Sequence, residues 1–161
     1  MTEDSRRQQA EDLFHQAHQL QSDGRLDEAV RLYQQSITLF PTAEAHTFLG
    51  WTYSSMDRLD DAISECRLAI GIDPDFGNPY NDIGAYLVQK GQIDEAIPWF
   101  EQALDAPRYE SYCFPHVNLG RVYELKRMWV RALGEYRRAA TEKPDYGPAL
   151  EGMARIRGYL N

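Results

Sequence analysis

The sequence predicts an all-α protein in which antiparallel helix pairs repeat along the chain. Two observations lead to this prediction. Apolar residues follow helical spacing rather than strand alternation, as at Leu49 and Tyr53 and then at Ile63, Cys66 and Ile70. A short pattern of small and apolar residues also recurs four times, at an interval typical of helix-pair repeats. The 161 residues are enough for one domain with a sizeable core.

The repeat is clearest in four columns of small residues and prolines. The first column is an alanine that recurs at intervals of 33, 34 and 36 residues. A second small residue follows it by seven positions, a third precedes it by twelve, and a proline closes each copy. Small side chains at such positions let two helix backbones approach closely. The columns are Ala29, Ala62, Ala96 and Ala132; Ser36, Ala69, Ala103 and Ala139; Ala17, Gly50, Gly84 and Gly120; and Pro41, Pro74, Pro107 and Pro144.

Each copy divides into a first helix, a tight turn and a second helix. Gly24, Asp57 and Gly91 mark the turn in three copies, because these residue types tolerate a left-handed backbone. Arg127 occupies the same place in the fourth copy. Carboxylates that complement the helix dipole follow the turn in the first three copies. Pro79, Pro115 and Pro148 fall where a first helix begins, a position that tolerates proline.

These motifs resemble the tetratricopeptide repeat. The segments Leu49-Gly50-Trp51-Thr52-Tyr53 and Leu119-Gly120-Arg121-Val122-Tyr123 are similar to its Leu-Gly-x-x-Tyr signature. The later alanine, the aromatic residue four positions on and the closing proline also fit, and the resemblance covers residues 10–144. It implies an α-solenoid, a right-handed superhelix of about nine helices.

Aligning the copies predicts the domain organisation. Residues 108–112 lengthen the link before the fourth copy, and Arg127 replaces a turn glycine. The last segment resembles the first half of a fifth repeat, and we expect it to cap the exposed end of the array. The predicted parts are a lead-in at 1–9 that is partly flexible or extends the first helix, four repeats at 10–42, 43–76, 77–112 and 113–146, and a capping helix at 147–161.

The resemblance implies a concave groove, lined by the first helices, that usually binds an extended or helical peptide. Side chains one turn away from the buried leucine and glycine columns should face it. The sequence therefore predicts the following partner-binding residues: Phe14, His18, Phe48, Trp51, Asn81, Asp82, Ala85, Phe114, Asn118, Arg121 and Arg155.

Several of these assignments have a simpler alternative. Trp51 could anchor a partner, or it could pack against neighbouring helices. The two asparagines could bond a ligand backbone or be solvated, and Arg121 and Arg155 could hold a partner carboxylate or be ordinary surface residues. The aromatic segment 108–114 could form a docking surface or fill the wider gap between repeats.

One subgroup of the family binds the EEVD tail of chaperones through a clamp of two lysines, two asparagines and an arginine. Neither three-repeat window of this chain supplies the two lysines or the arginine, so we expect no binding of a chaperone tail. The corresponding positions are Phe14, His18, Phe48, Asn78 and Asp82 in one window, and Thr47, Trp51, Asp82, Phe114 and Asn118 in the next.

Composition argues against several other functions. The net charge is -8, which disfavours nucleic acid as a partner. The two cysteines, Cys66 and Cys113, form no CxxC pair, so neither a disulfide framework nor a thiolate metal site is expected. No signal-like segment and no apolar run of membrane-spanning length occurs. We therefore expect a soluble, cytoplasmic protein with no membrane partner.

Catalytic and metal chemistry is not expected either. His46 and His116 share one repeat column and should pack, whereas His15 and His18 should be solvated. Cys113 lies at a helix start, which could lower its pKa, although a packing role is favoured. No phosphate-binding, metalloprotease or nucleophile-elbow motif is present. The chain is predicted to be neither an enzyme nor a cofactor-binding protein.

The preferred function is a protein–protein interaction scaffold or adaptor that binds a peptide or protein segment in the concave groove. The alternative is a self-assembly module that forms a homo-oligomer, weak if it occurs, through convex or terminal helix faces. Trp99, Phe100 and Trp129 could supply an apolar convex patch for such pairing.

Overall fold

The computed structural model, which describes all residues from Met1 to Asn161, consists of nine α-helices joined by short links. The predicted all-α fold with about nine helices is confirmed. No helix is both long enough and apolar enough to cross a membrane. The helices are α1 (Glu3–Ser22), α2 (Leu26–Leu39), α3 (Ala43–Ser55), α4 (Leu59–Ile72), α5 (Asn78–Gln89), α6 (Ile93–Asp105), α7 (Cys113–Leu125), α8 (Trp129–Glu142) and α9 (Gly147–Leu160).

The helices stack in chain order. Each helix packs against the one before and the one after it, and the first helices of successive copies (α1, α3, α5, α7 and α9) also contact one another. The backbones of the second helices (α2, α4, α6 and α8) lie farther apart, and neighbouring second helices meet through side chains such as Arg67 on α4 and Trp99 on α6. Because the first helices are closer together than the second helices, they line the inner, concave side of the array.

The turn between the two helices of a copy has the same conformation in all four copies. Gly24, Asp57, Gly91 and Arg127 have φ angles of 77°, 59°, 80° and 58°. In the first copy, the amide of Gly24 donates to the carbonyl of Gln21, and the amide of Arg25 donates to that of Leu20. This is the Schellman arrangement, which satisfies the last carbonyls of a helix. The left-handed turn is therefore kept where Arg127 replaces glycine.

The columns of small residues lie where the two helices of a copy meet. A Cβ atom at Gly84 would lie 2.5 Å from Cε1 of Phe100. At Gly120 and Gly152 a Cβ atom would lie 2.7 Å and 2.6 Å from Cε1 of Tyr136. Phe100 and Tyr136 are fully buried, as are Ala29, Ala62, Ala96 and Ala132. The aromatic ring of the second helix therefore rests directly on the bare backbone of the first.

Two histidines, the buried His46 and the half-buried His116, join the helices of the second and fourth copies. Nδ1 of His46 lies 2.6 Å from Oε2 of Glu65, and Nδ1 of His116 lies 2.8 Å from Oε2 of Glu135. Both pairs are separated by 19 residues and bridge from the first helix to the second. The histidine column therefore packs inside the fold.

The lengthened link at 108–112 closes the gap between α6 and α7. Tyr109 is buried, and a Cβ atom at Gly77 would lie 2.6 Å from its side chain. The hydroxyl of Tyr112 donates to the carbonyl of Ala106 at 2.7 Å. Arg108 lies over the ring of Phe76 and forms ion pairs. These residues hold the link against the body of the protein.

The structure is inconsistent with Phe100 as part of a convex patch, and it agrees with the packing role favoured for Cys113. Phe100 is fully buried and cannot contribute to a convex patch, and the ring of Trp129 is stacked on Tyr159 with centroids 4.7 Å apart. The thiol of Cys113 is buried despite its place at a helix start, and this desolvation raises its pKa above the ordinary value. Burial raises the pKa of the Cys66 thiol as well.

We predict that Gly84→Ala lowers the free energy of unfolding by about 1–3 kcal/mol, because the new methyl group would collide with the ring of Phe100. The matched control is Gly134→Ala in the middle of α8, where a Cβ atom meets nothing within 4 Å. That change should raise the free energy of unfolding by about 0.5–1 kcal/mol, the usual helix preference of alanine. Urea unfolding measures both values, and equal effects of the two variants would contradict the packing described here.

Candidate functional site

The concave face carries most of the side chains predicted to bind a partner. His18, Trp51, Phe114, Arg121 and Arg155 are exposed on it, and Trp51 keeps 52% of its surface accessible. A second group is half-buried, and Asn81 is buried. The half-buried members are Phe14, Phe48, Asp82, Ala85 and Asn118.

The middle of this face contains a cavity of about 260 Å³, here called the central pocket. Eight residues line this pocket, and five of them belong to the predicted partner-binding residues. They come from α3, α5, the α6–α7 link and the start of α7. The lining residues are Thr47, Phe48, Trp51, Asn78, Asn81, Asp82, Tyr109 and Phe114.

Three of the lining residues, Thr47, Asn78 and Tyr109, were absent from the predicted partner-binding residues. Asn78 lies one turn before Asp82 on α5, and the helical spacing from Asn81 and Asp82 could have identified it. Tyr109 lies in the lengthened link, whose path no repeat column indicates. Only the packing of the link against Gly77 places its ring at the pocket.

A chain of aromatic contacts leads from α1 into the central pocket. The ring centroids of Phe14 and Phe48 are 5.3 Å apart, and those of His18 and Phe48 are also 5.3 Å apart. The rings of Phe48 and Trp51 are separated by 5.8 Å. Aromatic pairs with such geometry contribute about 0.5–1.5 kcal/mol each beyond their buried area. The contacts therefore hold Trp51 in place while leaving half of its surface free.

Trp51 also borders a second cavity, of about 210 Å³, on the side toward α1. His18, Gln21 and Ser55 are among its lining residues. The indole ring thus lies between two adjoining depressions of the concave face. The ring packs against Phe48 and is also exposed.

The two predicted ligand-binding asparagines bind each other. Nδ2 of Asn118 donates to Oδ1 of Asn81 at 3.0 Å, which connects α7 to α5. Asn81 is buried and Asn118 is half-buried. Neither of the two expectations, a free ligand contact or a solvated side chain, describes this pair. It joins neighbouring first helices.

Arg155 is also occupied within the chain. Its guanidinium donates to both carboxylate oxygens of Glu124, at 2.9 Å and 3.0 Å. This bidentate contact holds the pKa of Glu124 below its usual range and raises that of Arg155. A partner carboxylate would have to compete with Glu124 for the Arg155 guanidinium. Arg121, on the same face, is exposed and has no ion pair.

Asp82 differs from the other charged residues of the groove. It lines the central pocket, yet no hydrogen bond or ion pair reaches its carboxylate. Burial raises its pKa to about 7. Neighbouring protein atoms have therefore displaced part of the hydration of this carboxylate without supplying a cation or a donor in exchange, and its oxygens keep some contact with solvent.

Helix pairs stacked in register, with a groove along the first helices, define a helical-repeat scaffold. The family model described as tetratricopeptide repeat matches residues 43–76 and 78–108, the second and third copies. These two copies are thus tetratricopeptide repeats, as the sequence motifs indicated. Repeats of this fold are generally non-catalytic and commonly serve in protein–protein interaction.

Among curated proteins, the chain is 28% identical over 97 residues to small glutamine-rich tetratricopeptide repeat-containing protein 2 of Saccharomyces cerevisiae. The match covers 60% of this chain and 28% of that protein. The chain spans between 14% and 36% of the length of the curated relatives it matches.

Solved structures confirm the solenoid fold. PilF of Pseudomonas aeruginosa superimposes with a TM-score of 0.88 at 18% identity, covering 97% of this chain and 72% of that one. YrrB, a tetratricopeptide-repeat protein with an unusual peptide-binding site, gives a TM-score of 0.68 at 19% identity, with 92% and 76% covered. At these identities the likeness concerns the fold alone.

We predict that Asp82→Asn stabilises the protein more at pH 8 than at pH 5. The folded pKa of Asp82, about 7, is above the ordinary value of about 3.9 for the unfolded chain. Between these values the folded state binds more protons, so the contribution of Asp82 to the free energy of unfolding falls as pH rises. Asparagine has nearly the same side-chain shape but no ionisable group, so the variant does not lose this stability as pH rises.

Urea unfolding at the two pH values measures the effect. The gain from Asp82→Asn should be larger at pH 8 by roughly 0.5–2 kcal/mol, which is less than the full difference in pKa would give between these pH values because the side chain is partly exposed. Asp145→Asn, which removes an exposed carboxylate from the α8–α9 link, should change little at either pH. A gain independent of pH would contradict the unpaired state of Asp82.

Proposed function

We propose that this chain is an adaptor that binds a peptide segment of another protein in its concave groove. The observation that carries the proposal is the half-exposed Trp51, fixed by aromatic contacts between two adjoining cavities. Tryptophan is enriched among the residues that contribute most to binding energy at interfaces. YrrB, which has the same fold, is described as having a peptide-binding site.

The groove is suited to binding because its walls are already ordered. Phe48 and Trp51 are held on α3, and Phe114 contacts Tyr146 with ring centroids 5.6 Å apart. A ligand that docks on preformed aromatic surfaces loses less free energy to side-chain ordering than one that must fix mobile side chains. In this proposal Trp51, Phe48 and Phe114 are apolar anchors, and the exposed Arg121 pairs with a carboxylate or carbonyl of the ligand.

We predict that Trp51→Ala combined with Arg121→Ala weakens binding of the natural partner at least about 30-fold, the effect of losing one strong interface residue. The wild-type protein, immobilised, would first capture the partner from lysate of its own host for identification by mass spectrometry. Titration calorimetry with the purified partner then measures the dissociation constants of the wild-type protein and of the double variant.

The control replaces a tryptophan and an arginine that contact each other away from the groove. Arg67 lies over the ring of Trp99 on the second helices α4 and α6, so Arg67→Ala with Trp99→Ala removes similar side chains there. This control should keep full affinity, and circular dichroism should report the same helix content for all three proteins. Equal binding by wild type and the Trp51/Arg121 variant would locate the partner elsewhere.

A second candidate function is self-assembly through the C-terminal end of the array. Helix α9 is covered only by α7 and α8, and apolar side chains remain exposed on it. Leu150, Tyr159 and Leu160 keep 45%, 59% and 49% of their surface accessible. Repeat arrays bury such faces against a neighbouring unit, and a second copy could serve as that unit.

If this second function holds, sedimentation velocity will show a species that grows with protein concentration. Leu150→Lys with Tyr159→Lys should then return the protein to a monomer, because burying two ammonium groups in an apolar contact is costly. A monomer at every concentration of the wild-type protein would eliminate self-assembly and leave the adaptor function untouched.

A further inference from the structure

Asp82 is the exception among the shielded carboxylates of this chain. Six aspartate and glutamate residues are buried or half-buried, and five of them receive a hydrogen bond or ion pair from arginine or histidine. For example, Glu65 pairs with His46 and Glu124 pairs with Arg155. The fold therefore supplies a partner to each of these five carboxylates. Asp82 has none. The six residues are Glu44, Glu65, Asp73, Asp82, Glu124 and Glu135.

The surroundings of Asp82 are aromatic. Phe48, Trp51, Tyr109 and Phe114 line the same central pocket, and the carboxylate is the only charged group among its lining residues. Aromatic faces attract cations through their negative quadrupole, and a carboxylate adds a direct charge partner. A pocket of aromatic walls and one unpaired carboxylate therefore has the chemistry that recognises an organic cation.

We propose that the central pocket receives a lysine or arginine side chain of the bound peptide, whose cation pairs with Asp82. This inference depends on the proposed peptide-binding function and names the residue class that the groove selects. The methylene stem of the lysine or arginine would lie against Phe48 and Trp51, as long basic side chains commonly cover apolar surface. The volume of the pocket, about 260 Å³, is below the usual range for small-molecule sites and suits a single side chain.

Charge complementarity favours this occupant over the alternatives. An acidic side chain would be repelled by Asp82, and an apolar one would bury the carboxylate further without a partner. The chain also carries a net charge of -8, which attracts basic segments over longer distances. The exposed cation of the groove, Arg121, lies on α7 and does not line the pocket.

The titratable groups near Asp82 leave its negative charge unopposed. Three titratable side chains lie near Asp82, namely Cys66 from α4, Tyr86 from α5 and Tyr109 from the α6–α7 link. Burial is the main cause that raises their pKa values, and the negative charge of Asp82 raises them further. All three are neutral at pH 7. The α3 wall contributes Thr47, Phe48 and Trp51, none of which titrates. Asp82 must therefore lose its proton to pair with the ligand, and binding should strengthen as pH rises.

Peptide pools test the inference on the full chain. Twenty pools of acetylated and amidated peptides, each with one fixed central residue between degenerate flanks, are passed over the immobilised protein. We expect the lysine and arginine pools to be retained about tenfold more than the glutamate pool at pH 8, and this preference to fall about tenfold at pH 6, where most Asp82 is protonated.

Three variants distinguish the pocket from the general charge of the chain. Asp82→Asn should abolish both the preference for basic residues and its pH dependence, and Asp82→Lys should reverse the preference toward glutamate. Asp145→Asn removes the same charge from the α8–α9 link and should leave the preference unchanged. Circular dichroism and thermal melting check that each variant is folded, and asparagine at position 82 keeps the side-chain shape.

The outcomes separate the two proposals. If the wild-type protein retains no pool above a blank surface, the peptide-binding function itself is wrong and the inference falls with it. If pools are retained but basic residues are not preferred, or if Asp82→Asn keeps the preference, the cation site is wrong while peptide binding stands.

Discussion

The close contact between the aromatic rings of α6 and α8 and the bare backbone of the first helices governs this structure. Tyr136 shows its effect most directly, because a Cβ atom at either Gly120 or Gly152 would lie within 2.7 Å of its ring. Gly120 belongs to the same copy and Gly152 to the capping helix. One buried ring therefore determines the distance within a helix pair and the distance to the next first helix. Since interiors are close-packed, neither distance can change without opening a void or a clash.

The groove is a consequence of this packing. The second helices α2, α6 and α8 each present a large buried ring inward, and the backbones of neighbouring second helices lie far apart. First helices present glycine and alanine, and their backbones lie close to those of their successors. The array therefore bends with the first helices inside. Polar contacts then tie neighbours together on the inner side, as the amide pair of Asn81 and Asn118 does between α5 and α7. The concave face is thus shaped by the buried columns, and its own side chains remain free to differ from copy to copy.

Stability and binding place opposite demands on that face. The fold neutralises its shielded carboxylates with arginine or histidine, as at Glu124 and Glu135, because an unpaired buried charge is costly. It leaves Asp82 without a partner and Trp51 half exposed in one continuous region of the groove. Features that lower stability and lie together in a cavity are characteristic of binding sites rather than of scaffolding.

The amino-acid sequence by itself determined the all-α class, the four copies, the left-handed turns and the buried columns. These features follow from local rules. Helical spacing identifies the helices, small residues are needed where backbones are in close contact, and glycine and aspartate tolerate a left-handed backbone at turns. The same spacing placed Phe48, Trp51, Asn81, Asp82 and Phe114 on one face. Only the tertiary structure decided which of these residues have partners. Asn81 bonds to Asn118 across 37 residues, Arg155 to Glu124 across 31, and Tyr109 reaches the pocket through an irregular link. Such pairings depend on distances between helices set by packing, which periodicity along one helix does not contain.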